Sequence, residues 1–496
     1  MTTQQQHREA IEALRSALPT LQWTTEPERV ALLSRDFSWF SPILKAALEG
    51  KQAEIAVRPR DAGELKALVA ECARRAIPLT LRGAATGNYG QCTPLRGGVL
   101  VDMGALNRVV WQRGGVVRAE AGIRLAELER RTREQGFELR TMPSTFRVAT
   151  LGGLFAGGFG GVGSITYGPI AAPGNVLGAS ALSVEPEPQV VELRGAEALA
   201  LHHTWGTTGI VLELELALAP AQSWTELAVV FDDAAAAGGG GSGFDAALDF
   251  ANTLALAPGL PKRNVAVLAW PVPRFIARWE HVFPAGHAAA LVVVAQSAEP
   301  AVRELAARFG GRVTHRADSA EAQRRNQTLL EMCWNHSTLH ALKADPGRTY
   351  LQCSFTAGRH LEQVREAHAL FGRVEGEGSA PGSAPGRGPG SQHGAGPALE
   401  EAEVLMHVEF IRSLDGPLIC TALPLVRYTG EARLAQIIEA YRALGIRVNN
   451  PHHQHVEDGR FGGTLPPGAV AAKRRLDPMN LLNPGKLRLW PPPDPG

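Results

Sequence analysis

Ten glycines fall between residues 152 and 178, and this density constrains the chain more than any other feature. Glycine loses more backbone freedom on folding than any other residue, so a run this rich is costly unless the backbone must approach something closely. Leu151, Leu154, Phe155 and Ile165 are interleaved with the glycines, which marks an ordered segment rather than a linker. Within it Gly158, Gly160 and Gly163 match a dinucleotide fingerprint, and Glu185 lies about the right distance onward. That fingerprint must open a helix, and Gly168, Pro169, Pro173 and Gly174 would break any helix before Glu185. The match follows from glycine density, and a nicotinamide-type Rossmann unit is disfavoured.

A second bare stretch, Arg82-Gly83-Ala84-Ala85-Thr86-Gly87-Asn88-Tyr89-Gly90, directly follows the apolar run Ile77 to Leu81. Small residues after a strand let successive N–H groups face an anion, as in a nest for a diphosphate. A tight turn between strands is the alternative for this loop alone. The flanking pattern alternates strand and helix. Ala53 to Val57 reads as a strand, Asp61 caps a helix bearing Leu65, Leu68, Val69 and Cys72, and strands follow at Ile77 to Leu81, Val99 to Val101 and Val116 to Ala119. A helix from Leu125 to Gln135 ends at Gly136. Further on, Leu291 to Ala295 reads as a strand and Glu431 to Leu444 as an amphipathic helix.

A chain of 496 residues is too long for one ordinary core. Four parts are expected: an N-terminal helical segment (1–49), a mixed domain (50–222), a second domain (223–445) and a C-terminal segment (446–490). The stretch from Ala234 to Gly243 is expected to be a loop. The Gly, Pro and Ser-rich insert at 376–397 is expected to be disordered, since such composition cannot offset its ordering entropy. With 50 basic against 49 acidic residues and no block of like charge, nucleic acid is not expected as the main partner. The five cysteines are odd in number and lack metal-type spacing, which predicts free thiols in a reducing, cytoplasmic setting. No run of about 18 apolar residues predicts a transmembrane helix.

Taken in order, these residues resemble the vanillyl-alcohol oxidase/p-cresol methylhydroxylase flavoprotein superfamily, with likeness to glycolate oxidase flavin subunits and D-lactate dehydrogenases. The resemblance runs over Arg58-Pro59, the Arg82 to Gly90 loop, Gly97 to Met103, Ala121 to Leu125, the Pro143 to Gly153 and Gly161 to Gly168 stretches, and Trp205 to Leu216. Leu476 to Lys486 resembles the superfamily's segment that returns to the flavin. The likeness implies an α+β fold, with a two-subdomain FAD-binding domain of the p-cresol methylhydroxylase type and an α/β substrate (cap) domain. It implies FAD contacts from Arg82, Gly83, Ala84, Ala85, Thr86, Gly87, Asn88 and Tyr89. Thr150, Gly152, Gly153, Gly163 and Ser164 would line the diphosphate and the ring, Gly209 and Ile210 the adenine or ribose, while Asn483 and Lys486 would approach the flavin. The loops lack the His or Cys that covalent relatives use, so non-covalent FAD is expected. The His-Gly-Asp-Gly-Asn type metal run of D-lactate and D-2-hydroxyglutarate dehydrogenases is absent.

The implied chemistry is oxidation of a small hydroxy acid or alcohol by hydride transfer to flavin N5, with oxygen, a quinone or a redox protein as electron acceptor. The alternative is an accessory FAD-binding subunit of a glycolate-oxidase-like complex. Three polar clusters lie outside the FAD domain: Glu331 to Lys343, His407 to Arg412 and Asn449 to Asp458. His452, just before the returning segment, is the first choice of base, its ordinary pKa near 6.5 suiting proton transfer. His336 is the second. His407 and Glu409 would share one strand face, with Met406, Val408 and Phe410 packed behind. Arg427 or Lys343 would bind a substrate carboxylate. Spacing leaves open whether His336, His407, Glu409 and His452 gather a metal.

Overall fold

The computed structural model describes residues 3–232, 242–372, 402–458, 463–488 and 490. The insert at 376–397 and most of the 234–243 stretch lie outside these residues, although Gly243 already belongs to the helix Gly243–Leu256, capped by the Ser242 hydroxyl.

The first sheet orders Gln22–Thr24, Ile55–Arg58, Val99–Asp102 and Leu79–Arg82, the last three parallel. Short apolar runs such as Val99, Leu100 and Val101 are wholly buried, as parallel strands covered on both faces require. The helix Ala62–Arg74 starts where Asp61 accepts the Glu64 N–H at 2.9 Å. Its Leu65, Leu68 and Val69 pack on Ile55, Val57, Val99 and Val101. Burying each such side chain is worth about 1.5–3 kcal/mol.

The second sheet is antiparallel and centred on the long strand Ile210–Pro220, flanked by Val116–Glu120 and Val176–Leu182. Between the halves of this region lie the helix Leu151–Gly157 and the single turn Ser164–Tyr167, closed by Gly168 at φ 71°. The 158–163 glycines therefore join two short helical pieces, and no long helix follows them. The exclusion of a Rossmann unit is thus visible in the backbone.

The third sheet has eight strands, antiparallel at every pairing, with Lys262–Leu268 and His407–Arg412 adjacent near its centre. The period of two sorts its side chains. Val265, Val267, Val408 and Phe410 join the core under the helices Gly243–Leu256, His360–Phe371 and Glu431–Ala443. Ala266 and Leu268 point the other way, toward Trp279, Leu329, Met332 and Ala341. His407 and Glu409 share that second face.

The C-terminal segment returns to the first sheet. Leu79 N–H donates to Leu481 O at 2.8 Å, Asn483 N–H donates to Leu79 O at 2.7 Å, and Val184 N–H donates to Leu476 O at 2.6 Å. The end of the chain is thereby stitched beside the strand that launches the first glycine loop. Among the described residues no helix is long and apolar enough to cross a membrane.

Candidate functional site

The two bare stretches, remote in sequence, meet. A Cβ on Gly83 would stand 2.2 Å from Thr150 Oγ1, a separation only an absent side chain permits. Thr150 caps the helix Leu151–Gly157, accepting the Gly153 N–H at 3.2 Å. Gln91, just past the first loop, makes a second tie: its amide donates to Gly157 O at 2.8 Å, and a Cβ on Gly87 would overlap its Oε1. Residues 82–87 are half-exposed and Gly153 is exposed, so the loops present a seam of accessible backbone. Asn88 is buried beside it with its amide nitrogen lacking a partner, as is the Trp205 indole nitrogen. Buried donors without acceptors are costly and rare, and they suit an anionic, acceptor-rich group lying along the seam.

Several residues assigned to the cofactor by resemblance bond protein atoms that hold this seam together. The Arg82 guanidinium donates to Leu33 O at 2.6 Å and Arg35 O at 3.1 Å. Asn483 donates to Gln91 O and Trp205 O, both at 2.8 Å. Lys486 is wholly buried and donates to Gly90 O at 2.6 Å. Burial lowers its pKa to about 8, against the pull of Asp36. Asp36 accepts the N–H groups of Ser38 and Gln91 at 2.9 Å each, and its carboxyl is raised by burial. The returning segment thus fixes the loop through protein atoms. Gly152 and Gly163 are bare because protein packs behind them: a Cβ on Gly152 would meet Ala121 Cβ at 2.7 Å and Ala121 O at 3.0 Å, and one on Gly163 would meet Arg140 O at 1.9 Å. Ser164 is buried, its hydroxyl accepting from Gly161 N–H at 3.0 Å. Gly209 and Ile210 also face inward, Gly209 against Leu476 and Leu201.

Both loops reach the eight-stranded sheet. The Tyr89 hydroxyl donates to Gln352 Oε1, Gly163 N–H to Arg263 O at 2.6 Å and Thr166 Oγ1 to Lys262 O at 2.8 Å. Arg147 pairs with Glu331 at 2.9 Å. Trp334 stands against Gly160, where a Cβ would lie 3.4 Å from its ring.

Behind Trp334 is a buried polar network. His407 Nε2 lies 2.9 Å from Glu409 Oε1 and His407 Nδ1 lies 2.5 Å from Ser337 Oγ. Glu409 accepts the Trp334 N–H at 2.7 Å, and Ser337 donates to Trp334 O at 2.9 Å. His407 and Glu409 are 0% and 1% exposed, so the face that carries them is sealed rather than solvated. Trp334 itself adopts φ 54°, ψ −143°, a conformation that costs a residue with a side chain about 1–3 kcal/mol.

The remaining sequence candidates separate. His452 is buried, its Nδ1 2.7 Å from Ser41 Oγ and its Nε2 2.9 Å from Tyr350 O. Tyr350 O can only accept, so Nε2 carries the proton, and Nδ1 faces a hydroxyl. Neither nitrogen is left for a substrate, and burial lowers the pKa to about 4. Arg427 is exposed at the end of the strand Leu425–Arg427, beside Glu403. Lys343 is exposed. His336 lies near Arg147 with no partner on Nδ1, and burial with His340, Arg147 and Lys343 nearby lowers its pKa to about 4. Among the described residues no group of three or more His, Cys, Asp or Glu side chains stands close enough to hold a metal.

A family model described as an FAD binding domain matches residues 53–185, which include both glycine loops. Residues 53–185 thus carry an FAD-binding domain. Its cofactor is FAD, and the convergent bare loops with their unpartnered donors fit it. The chain is similar to a D-lactate dehydrogenase of Anaerostipes hadrus, 28% identical over 191 residues, covering 35% of this chain and 38% of that protein. It is also similar to an uncharacterized FAD-linked oxidoreductase of Mycobacterium tuberculosis, 28% identical over 145 residues, covering 29% of this chain and 30% of that one. Glycolate oxidase subunit GlcD of Escherichia coli is 28% identical over 116 residues, 23% of each chain. The match thus spans less than two fifths of the length of these curated relatives. Among solved structures, alkyldihydroxyacetonephosphate synthase superposes with TM-score 0.64 at 15% identity, over 97% of this chain and 85% of that one, which establishes a shared fold.

Proposed function

We propose that this chain is an FAD-dependent oxidoreductase that oxidises a small hydroxy acid or alcohol, with residues 50–222 holding the cofactor and residues 223–445 forming the substrate side. The observation that carries the reading is the junction of the second glycine loop with a polar, partly buried wall of the eight-stranded sheet. When bound, FAD supplies the acceptor for the two electrons, as hydride at N5. The chain's own residues then have three tasks: to hold the donor, to shelter it from water and to take the hydroxyl proton. The relatives named as D-lactate dehydrogenase and glycolate oxidase subunit support a hydroxy-acid donor.

His336 replaces His452 as the proton acceptor. Its free Nδ1 is neutral at pH 7, and a substrate carboxylate arriving beside it raises its basicity by opposite charge. Arg147, held at the same junction by Glu331, is placed to attract that carboxylate. FAD is held without a covalent bond: Cys92, the thiol nearest the first loop in sequence, is buried with its pKa pushed up to about 12, which keeps it protonated and unreactive. The test is anaerobic mixing of the holoenzyme with 2-hydroxy acids and primary alcohols while the visible flavin band is followed. Bleaching by at least one donor, slowed about 100-fold in His336→Gln at equal FAD content, is expected. If no donor bleaches the flavin, the donor class is wrong; if His336→Gln reduces at the parent rate, His336 is not the proton acceptor.

A further inference from the structure

We propose that Trp334 is the wall that limits which donors reach the flavin seam, and that Glu409 is the positioning residue that holds the wall in place. The substrate part of this inference rests on the oxidoreductase reading above; the wall itself rests only on the fold and the cofactor.

Three observations converge on Trp334. Its backbone is in a left-handed conformation, φ 54°, which an indole-bearing residue does not adopt unless its surroundings over-determine it. The surroundings do so from both sides of the residue. The N–H is taken by the Glu409 carboxylate at 2.7 Å, the carbonyl by the Ser337 hydroxyl at 2.9 Å, and the indole nitrogen reaches Asn264 Oδ1 at 3.4 Å. Asn264 in turn donates to Glu409 Oε2 at 3.4 Å. The ring so fixed is half-buried and stands against Gly160 in the second glycine loop.

The same geometry separates the roles. Glu409 and His407 are sealed from solvent behind Trp334, so they act on a donor through the tryptophan and not by touching it. The carboxylate is aimed at a peptide N–H, and His407 is braced against the carboxylate. A core tryptophan needs only apolar neighbours; this one is fixed by a buried carboxylate–histidine pair, with its ring against the loop where the cofactor domain meets the cap. Removing the indole opens the seam from the cap side and admits longer or branched donors.

The experiment compares holoenzymes carrying Trp334→Ala, Trp334→Phe, Glu409→Leu, Glu409→Ala and Glu409→Gln. The first readout needs no substrate: the rate at which sodium dithionite bleaches the flavin under anaerobic conditions. Trp334→Ala, Glu409→Leu and Glu409→Ala are expected to bleach several-fold faster than the parent. Trp334→Phe keeps a ring and Glu409→Gln keeps an acceptor for the Trp334 N–H, so both are expected to stay near the parent rate. If Glu409→Leu does not fold, Trp334→Ala decides the wall and Glu409→Ala, which also removes the acceptor, decides the positioning role. A parent-like rate for Trp334→Ala overturns the wall, and a parent-like rate for Glu409→Leu or Glu409→Ala, which remove the acceptor for the Trp334 N–H, overturns the positioning role. The second readout is the ratio of flavin reduction by 2-hydroxyhexanoate to that by lactate. It is expected to rise at least about ten-fold in Trp334→Ala, the scale on which pocket size discriminates methylenes. An unchanged ratio overturns the selection of donors by size. If neither acid reduces the parent flavin while the dithionite pattern holds, the hydroxy-acid reading fails and the wall stands.

Discussion

Gly83→Ala probes the convergence of the two loops most sharply, because the backbone at Gly83 is not left-handed and alanine is conformationally acceptable there. The cost is steric alone. The new methyl would lie 2.2 Å from Thr150 Oγ1, 3.4 Å from Thr150 Cβ and 3.6 Å from Thr150 Cγ2, so only the hydroxyl obstructs it. The clash is relieved in two ways. If Thr150 rotates, the hydroxyl leaves the Gly153 N–H, and losing an N-cap costs about 1 kcal/mol. If the loops separate instead, overpacking of this kind costs about 1–3 kcal/mol. Charged to the FAD-binding conformation, that range weakens FAD binding about five- to 150-fold. The assay is FAD titration of apoprotein by flavin fluorescence, with thermal melts to separate affinity from folding. Thr150→Ala alone should cost the cap, about 1 kcal/mol. In the double variant the methyl meets only Cβ at an ordinary distance, so Gly83→Ala should add little on top of Thr150→Ala. Two substitutions that do not touch would add within about 0.5 kcal/mol. Additive losses of affinity would therefore refute the contact between the loops.

His452→Gln is expected to lower the melting temperature while changing the rate of flavin reduction little, since glutamine can serve both Ser41 and Tyr350; a large loss of rate at equal FAD content would restore His452 to the mechanism. The folded-state pKa of His452, lowered to about 4 by burial, lies below its unfolded value near 6.5. The unfolded chain therefore binds the proton first, and stability falls as pH drops from about 6.5 toward 4. Melts across that window should show a shallower fall in His452→Gln than in the parent, and equal slopes would contradict the assignment. All five cysteines are buried and free, and burial raises their thiols, so a disulfide-type thiol reagent should react slowly with native protein and rapidly in denaturant; rapid native reaction would show a thiol exposed. Denaturation in urea should release all flavin into the filtrate, and flavin retained on the chain would show a covalent link.

Local structure was legible where local chemistry decides it. Asp61 before an apolar helical pattern and Gly136 after one mark helix ends that the backbone adopts, and the alternation around His407 and Glu409 placed both on one strand face, where they touch. The glycine loops announced close approach, but not what each glycine approaches. Gly83 is bare for Thr150 and Gly152 for Ala121, whereas Gly163 is bare for the Arg140 carbonyl behind it. Long-range contacts account for the rest. His452 is held by Ser41, 411 residues away, and by Tyr350, 102 residues away, and nothing near His452 in sequence signals either. Gln91 ties the loops across 66 residues and looks like any polar loop residue. Trp334 is singled out only by its backbone conformation and by Gly160, neither of which a sequence pattern carries.

The account rests on one cofactor lying along the seam where the loops around Gly83 and Thr150 meet. Its most direct test is the flavin content of the purified chain after incubation with FAD and gel filtration. One FAD per chain is predicted, released by denaturant, with occupancy reduced in Gly83→Ala. A folded chain that stays colourless and retains no FAD would contradict the account.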